Sequence, residues 1–138
     1  MENFHAQLSI QQPRVLGRRS IYFHHIIATN KRKIVKYLAH QLDLGGYSKI
    51  GWPGIVIVEG VESNVQEYVR QLQHLRWKQM VVRGEQTEAA SSDSSAEDLR
   101  KLPRSFHEFG ENQMSELATA CRDHDLEDLF LATMKIYS

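Results

Sequence analysis

The chain has 138 residues, of which 41% are hydrophobic and 25% charged, with equal numbers of acidic and basic residues. This composition is typical of a single soluble globular domain, and no apolar run approaches the roughly 18 residues that a transmembrane helix needs. The single cysteine, Cys121, excludes an internal disulfide bond, so we expect an intracellular protein, in the cytosol or the nucleus.

The charge is unevenly distributed along the chain. Residues 1–84 contain 12 lysines and arginines and 5 acidic residues, whereas residues 85–138 contain 5 and 12, so the two halves carry formal charges of +7 and −7. This asymmetry predicts either a basic surface for a polyanion beside an acidic segment, or two halves that attract each other within the fold. The sequence favours neither alternative.

Residues 1–19 have no sustained apolar periodicity and are interpreted as a lead-in. Residues 21–27 predict the first strand, because they are rich in aromatic and β-branched side chains. A helix should follow, capped by Thr29 or Asn30 and ended by the glycines at 45 and 46. Its apolar stripe at helical spacing is formed by Ile34, Val35, Leu38 and Leu42.

Residues 55–58 predict the centre of a sheet. They are four consecutive apolar, mostly β-branched residues, a pattern typical of a strand that is covered on both faces. A turn at Trp52-Pro53-Gly54 should join this strand to a short edge strand over residues 47–51.

The next stretch predicts a second helix and a fourth strand. Ser63 and Gln66 have the spacing of a capping box that opens the helix, and residues 77–83 predict a strand ended by Gly84. The resulting order, β-α-β-β-α-β, is that of the ferredoxin-like α+β sandwich. We assign this core to residues 20–84.

The remaining residues predict a loop and a helical extension. Residues 85–101 are acidic, rich in serine and poor in large apolar side chains, so we expect a flexible loop. Residues 102–138 should form a C-terminal extension with two short helices. These helices have too few apolar residues to fold alone, so we expect them to pack on the sheet or beside the first helix.

The sequence lacks the common patterns of catalytic and metal sites. His24 and His25 would point to opposite faces of a strand, and no ligand spacing typical of zinc is present. Acidic neighbours surround Cys121, which favours a buried thiol over a nucleophile. The glycines do not form a phosphate-binding loop. We therefore expect no enzyme, no metal and no cofactor.

A basic cluster opens the first predicted helix. Cations in a first turn oppose the helix dipole at roughly 0.3–1 kcal/mol each, but beside free backbone N–H groups they favour anion binding. A solvated charged turn is the alternative. The cluster contains Lys31, Arg32, Lys33 and Lys36, and Arg18, Arg19 and Lys49 should enlarge it.

The sheet face away from the helices offers a second candidate surface. Tyr22 and His24 would form a stacking platform for unpaired bases, with Lys78 nearby. The alternative is that the C-terminal helices cover this face and make those rings part of a core.

Several motifs together resemble a known family. They are Tyr22-Phe23-His24-His25-Ile26, Lys31-Arg32-Lys33, Gly46-Tyr47, Gly51-Trp52-Pro53-Gly54-Ile55, Val58-Glu59-Gly60 and Trp77-Lys78. The set resembles the C-terminal domain shared by RWD domain-containing proteins (types 2 and 3) and the spliceosomal pre-mRNA-processing factor 3. The resemblance implies a ferredoxin-like fold in which Pro53, Gly54, Glu59, Gly60 and Trp77 form a structural motif. In the splicing factor this domain binds small nuclear RNA.

We therefore expect a non-catalytic binding module with RNA as the first candidate partner. A protein-interaction adaptor that uses the sheet face or the acidic C-terminal helices is the main alternative, and an enzyme acting on a phosphorylated ligand is a third. The residues predicted to bind RNA are Arg18, Arg19, Tyr22, His24, Lys31, Arg32, Lys33, Lys36, Lys49 and Lys78.

Overall fold

A computed structural model describes residues 14–135 of the chain, and within them no helix has the length and apolar content of a membrane span. The described residues form five strands and four α-helices. In order they are β1 Val15–Phe23, α1 Thr29–Gln41, β2 Gly45–Lys49, β3 Gly54–Val61, α2 Glu62–Gln73, β4 Met80–Ala89, β5 Phe106–Phe109, α3 Met114–Asp123 and α4 Glu127–Thr133.

The five strands form one sheet in the order β4-β1-β3-β2-β5. β1 is antiparallel to both β3 and β4, and β2 is antiparallel to β3. These four strands, with α1 and α2, have the predicted ferredoxin-like βαββαβ topology, which confirms the fold class. β5 is an addition that pairs parallel to β2, so β2 is an inner strand and not the edge strand that the sequence predicted.

Strand β3 lies in the middle of the sheet and has a hydrophobic core on each face. Val56 and Val58 pack in the core beneath α1 and α2, with Val35, Tyr68 and Leu72. Ile55 and Ile57 face the opposite core, and all four β3 side chains are fully buried. The continuous apolar run at residues 55–58 therefore reflects burial on both faces.

The second core lies between the sheet and the C-terminal helices. Ile55, Ile57 and Tyr47 contribute from the sheet, and the helices supply Leu117, Cys121, Leu126, Leu129 and Phe130. These helices were predicted to pack either on the sheet or beside the first helix, and in the structure they pack on the sheet. That face is therefore covered by protein.

Two strand boundaries differ from the prediction. β1 begins at Val15, so residues 15–19 belong to the sheet, and residues 1–13 of the expected lead-in lie outside the described residues. β4 continues past Gly84 to Ala89. Gly84 pairs with Ser20, and the register shifts between Ser20 and Ile21 so that Arg83 is the extra residue in β4. The four-strand core thus covers residues 15–89, beyond both ends of the predicted range.

Residues 85–101 are also more ordered than the flexible loop that their composition predicted. The first five extend β4, and a short 3₁₀ turn, Ala96–Leu99, buries Ala96. Ser95 and Asp98 form a capping box at this turn.

The capping predictions for α1 and α2 were wrong. Ala28 and Val61 occupy the N-cap positions of these helices. Gln66 hydrogen-bonds to Glu62 and not to a group at Ser63.

A buried ion pair attaches this acidic segment to the sheet. Arg18 Nε lies 2.7 Å from Glu59 Oε2, and both side chains are almost fully buried. Glu59 also accepts hydrogen bonds from the backbone N–H groups of Lys101 and Leu102, at 2.8 and 3.0 Å. Arg18 donates further to Glu88 and to the Leu99 carbonyl. Glu59 thus joins β3 to β1 and to the segment after the 3₁₀ turn.

The Cys121 thiol should be unreactive in the folded protein. Its side chain is fully buried in the second core, and burial raises the pKa of the thiol to about 12. Because the thiolate is the reactive form, we expect an aromatic disulfide reagent at pH 8 to modify Cys121 only after unfolding in denaturant. Since the chain has one cysteine, the absorbance change reports this site alone. Rapid modification of the native protein would contradict its burial.

Candidate nucleic-acid interface

Three loops meet at one end of the sheet. β1 ends there at Phe23, opposite the first residues of β3 and β4, Gly54 and Met80. β2 ends beside them at Lys49, which is paired with Ile55. The β1–α1, β2–β3 and α2–β4 loops therefore lie together, and the first turn of α1 starts from the same end.

The loops are held by backbone contacts and close packing. Ile26 and Gly51 exchange hydrogen bonds of 3.0 and 2.8 Å, and a Cβ added at Gly54 would lie 2.3 Å from Ile26 Cγ1. Gly51 has a φ of +88°, which side-chain-bearing residues rarely adopt. This is why the Gly-Trp-Pro-Gly turn, with its cis Trp52–Pro53 bond, needs glycine on both sides.

Two histidines and a tryptophan form the aromatic part of this surface. The Trp52 ring centroid lies 4.6 Å from that of His24 and 4.6 Å from that of His25. The indole is 53% exposed. The strand ends before the histidines, so their rings do not point to opposite faces as predicted, and their Nδ1 atoms lie 3.1 Å apart. Desolvation, with the charges of Lys78 and His25, lowers the pKa of His24.

Cationic side chains line the neighbouring depression. Lys31 Nζ lies 4.5 Å from the Trp77 ring centroid and donates to the Arg76 carbonyl. Trp77 in turn packs on Phe23 at 4.5 Å and donates Nε1–H to the Leu72 carbonyl. The depression has a volume of ≈ 130 Å³ and is lined by His25, Ile27, Ala28, Lys31, Arg76, Trp77 and Lys78.

We call this end of the molecule the basic–aromatic surface, defined by His24, His25, Lys31, Trp52, Arg76, Trp77 and Lys78. Among residues 14–135, no carboxylate forms a salt bridge with Lys31, Arg76 or Lys78, nor with the exposed Lys33 next to them. Desolvation lowers the pKa of Lys31. The surface therefore combines available positive charge with an exposed aromatic ring, which is the chemistry that binds unpaired nucleotides.

Three cations predicted to enlarge the basic cluster are not part of this surface, which corrects the prediction. Arg18 and Arg19 are buried within β1, where carboxylates neutralise them. Arg19 pairs with Glu62 at the start of α2. Lys49 is also buried, and its ammonium donates to the carbonyls of Trp52 and Pro53 at 3.4 and 2.9 Å. Desolvation lowers the pKa of Lys49.

Arg32 and Lys36 lie on the side of α1 that faces β5, where they share one carboxylate. Arg32 donates from Nε and Nη2 to the two oxygens of Glu108, at 3.2 and 3.0 Å. Lys36 Nζ lies 3.6 Å from Glu108 Oε1. Hydrogen bonding from Arg32 lowers the pKa of Glu108. The predicted cluster is thus divided between two sides of the helix.

The predicted stacking platform on the sheet face is not formed. Tyr22 packs against the second core, and the Arg83 guanidinium lies 3.8 Å from its ring centroid. Arg83 also donates to the Thr133 carbonyl in α4. His24 belongs instead to the basic–aromatic surface, as does Lys78.

Four members of the surface were not predicted as binding residues: His25, Trp52, Arg76 and Trp77. The sequence could have predicted Trp52 as an exposed binding residue, because a large aromatic residue in a Pro-Gly turn has few neighbours to bury it. No sequence pattern predicts Arg76 as a binding residue, since it is a single charge in a loop. The family motif did identify Trp77, and also Glu59 and Gly60, as structural residues; an added Cβ at Gly60 would lie 2.5 Å from Leu44 Cδ2.

Residues 19–133 match the family described as "Small nuclear ribonucleoprotein Prp3, C-terminal domain". Among solved structures, BlrP1 BLUF has a TM-score of 0.59 with 10% sequence identity, covering 87% of this chain and 89% of that one. BlrB, a BLUF protein in its dark state, has a TM-score of 0.53 with 18% identity over 90% of each chain.

These likenesses concern the fold alone, because the sequence identities are low. Full-length HypF, in its phosphate- and nucleotide-bound form, has a TM-score of 0.45 and 15% identity. The match covers 75% of this chain, which spans 13% of the length of HypF.

Proposed function

The chain belongs to the family of the small nuclear ribonucleoprotein Prp3 C-terminal domain, and from this premise we propose that it is a non-catalytic module that binds single-stranded RNA through the basic–aromatic surface. The family supports an RNA-associated or protein-binding role in a nuclear ribonucleoprotein. It also favours the nucleus over the cytosol as the location.

One observation carries this proposal. Lys31, Arg76 and Lys78 line one depression with His25, whose ring lies 4.6 Å from the exposed indole of Trp52. These three cations have no salt bridge to a carboxylate among the described residues. Free cations track a phosphate backbone, while an aromatic face stacks on a base of any sequence. Unpaired bases are required for such stacking, which favours single-stranded over duplex RNA.

The proposal is tested by fluorescence anisotropy with a short labelled RNA of mixed sequence. We expect binding at low salt that weakens steeply between about 50 and 200 mM salt, because phosphate contacts release counterions. Single-stranded DNA and duplex RNA of the same sequence are the competitors. Absence of binding to the single strand at about 50 mM salt would overturn the proposal.

Replacing Trp52 with alanine should weaken RNA binding by about 1–3 kcal/mol, the contribution of one stacked base. The dissociation constant would rise roughly 5- to 150-fold, with little change in salt dependence, since no charge is removed. Tyr37→Ala is the matched control, because Tyr37 is 57% exposed but lies further along α1. Equal effects of both substitutions would argue against stacking on Trp52.

The main alternative is a protein-interaction adaptor. Because α3 and α4 cover the sheet face, the adaptor hypothesis now depends on the outer surface of α3. An open depression of ≈ 360 Å³ on that helix is lined by Ser115, Glu116, Thr119, Ala120 and Asp123. Its acidic character would suit a basic protein segment. The RNA titration separates the alternatives, since an acidic surface does not bind RNA.

A further inference from the structure

The contact between α1 and β5 resembles an anion site that is already occupied. The Arg32 guanidinium makes a bidentate contact with the Glu108 carboxylate, with Nε–Oε2 and Nη2–Oε1 distances of 3.2 and 3.0 Å. Lys36 Nζ lies 3.6 Å from Glu108 Oε1. One carboxylate thus holds two cations that lie one helical turn apart. The Arg32, Lys36 and Glu108 side chains are 37%, 42% and 17% exposed, so solvent reaches the cluster.

Phosphate satisfies the same donors as this carboxylate. An arginine guanidinium donates two parallel N–H groups to the oxygens of either anion, and both contacts are charge-assisted. Phosphate offers more acceptor oxygens, so it would serve Arg32 and Lys36 together. Glu108 is ionised at neutral pH, as glutamate ordinarily is, and the Arg32 hydrogen bond lowers its pKa further. The carboxylate therefore acts as an internal competitor for the two cations.

The position of the cluster relates it to the basic–aromatic surface. Lys31 faces Trp77, and Arg32, the next residue of the first turn of α1, faces β5. The exposed Lys33 follows them in the same turn. A strand bound over Trp52 and Lys31 that crosses the start of α1 would bring its next phosphates to Arg32 and Lys36.

We infer that Arg32 and Lys36 form a second phosphate subsite, which the Glu108 carboxylate occupies in the free chain and leaves when an RNA phosphate replaces it. This inference rests on the proposed RNA-binding function. The Arg32–Glu108 contact then weakens RNA binding by competing for the guanidinium.

The test is the variant Glu108→Gln, compared with Glu116→Gln. Both remove one negative charge, but Glu116 lies on α3 and is exposed. We expect Glu108→Gln to bind the labelled single strand more tightly and to steepen the log–log salt dependence by about 0.7, the contribution of one additional phosphate contact with a single strand. Glu116→Gln should leave the slope unchanged. Adding Arg32→Gln and Lys36→Gln to Glu108→Gln should cancel the gain in RNA affinity.

A second measurement keeps this inference separate from the RNA proposal. Inorganic pyrophosphate is titrated into the wild-type protein and Glu108→Gln, and the Arg32 Nε–H resonance is followed by NMR. We expect the resonance to shift at lower pyrophosphate concentration in the variant. If the resonance shifts at the same pyrophosphate concentration in the wild type and in Glu108→Gln, the subsite is overturned, whatever the RNA titration shows. If wild type and variant both fail to bind RNA while the Arg32 resonance responds, the subsite stands and the RNA proposal fails.

Discussion

Replacing Glu59 with glutamine should lower the free energy of unfolding by about 3–5 kcal/mol, the usual cost of breaking a buried ion pair by removing one partner. The Glu59 carboxylate is inaccessible to solvent and accepts from Arg18 Nε and from two backbone N–H groups. The amide of glutamine would place N–H donors against these donors and leave the Arg18 charge undercompensated. Urea denaturation followed by circular dichroism measures the change.

Two comparisons identify burial as the cause of this effect. Glu67→Gln removes an ion pair with Arg70 on the exposed surface of α2, and its denaturation midpoint should remain close to that of the wild type. The double variant Arg18→Met with Glu59→Leu should recover only the part of the lost stability that comes from the unpaired Arg18 charge, because apolar replacement of a whole buried pair is tolerated. The Lys101 and Leu102 N–H groups still lose their acceptor in this variant. Near-wild-type stability of Glu59→Gln alone would show that the network contributes little.

Neutralising the basic–aromatic surface should have the largest effect on RNA binding. The variant carries Lys31→Gln, Arg76→Gln and Lys78→Gln. We expect the log–log salt slope to fall by about 2, at 0.7 for each lost phosphate contact with a single strand. Binding at physiological ionic strength should become undetectable. Anisotropy titrations across a series of salt concentrations measure both quantities.

The matched control for this variant removes the same charge elsewhere. Lys101, Arg104 and Arg122 are exposed and pair with carboxylates of Asp125, Glu97 and Glu127. Their combined replacement by glutamine should change the salt slope little, because these cations are already neutralised locally. If both triple variants weaken RNA binding equally, net charge governs the interaction and the basic–aromatic surface is not the site.

Local patterns predicted the parts of the fold that depend on burial alone. The apolar run at residues 55–58 identified the central strand, and the stripe that contains Val35 and Leu38 identified α1, because burial on a regular element imposes a period on apolar residues. The position of the first strand was harder to predict. Arg18 and Arg19 are polar in sequence, and only their pairing with Glu59 and Glu62 makes them interior residues.

The candidate site was predicted in part, for a reason that lies in helix geometry. Lys31, Arg32 and Lys33 are adjacent in sequence, but successive helical residues point about 100° apart. Lys31 therefore contacts the α2–β4 loop while Arg32 contacts Glu108 on β5. Trp52 and Arg76 reach the surface from separate loops, and nothing local in the sequence relates them to Lys31.

The sequence by itself determined the order of the elements in the four-strand core, the central strand and the family, because patterns of neighbouring residues indicate each of them. β5 was not among these elements, since it is a short strand that joins the sheet only by pairing with β2. Only the tertiary structure decided which positive charges remain available to a ligand. The availability of a charge depends on whether a carboxylate lies within a few ångströms, and here the neutralising carboxylates come from residues 41 to 76 positions away in the chain, as in Arg18–Glu59 and Arg32–Glu108. Folding brings the acidic and basic halves together, and it leaves Lys31, Arg76 and Lys78 without such a partner among the described residues.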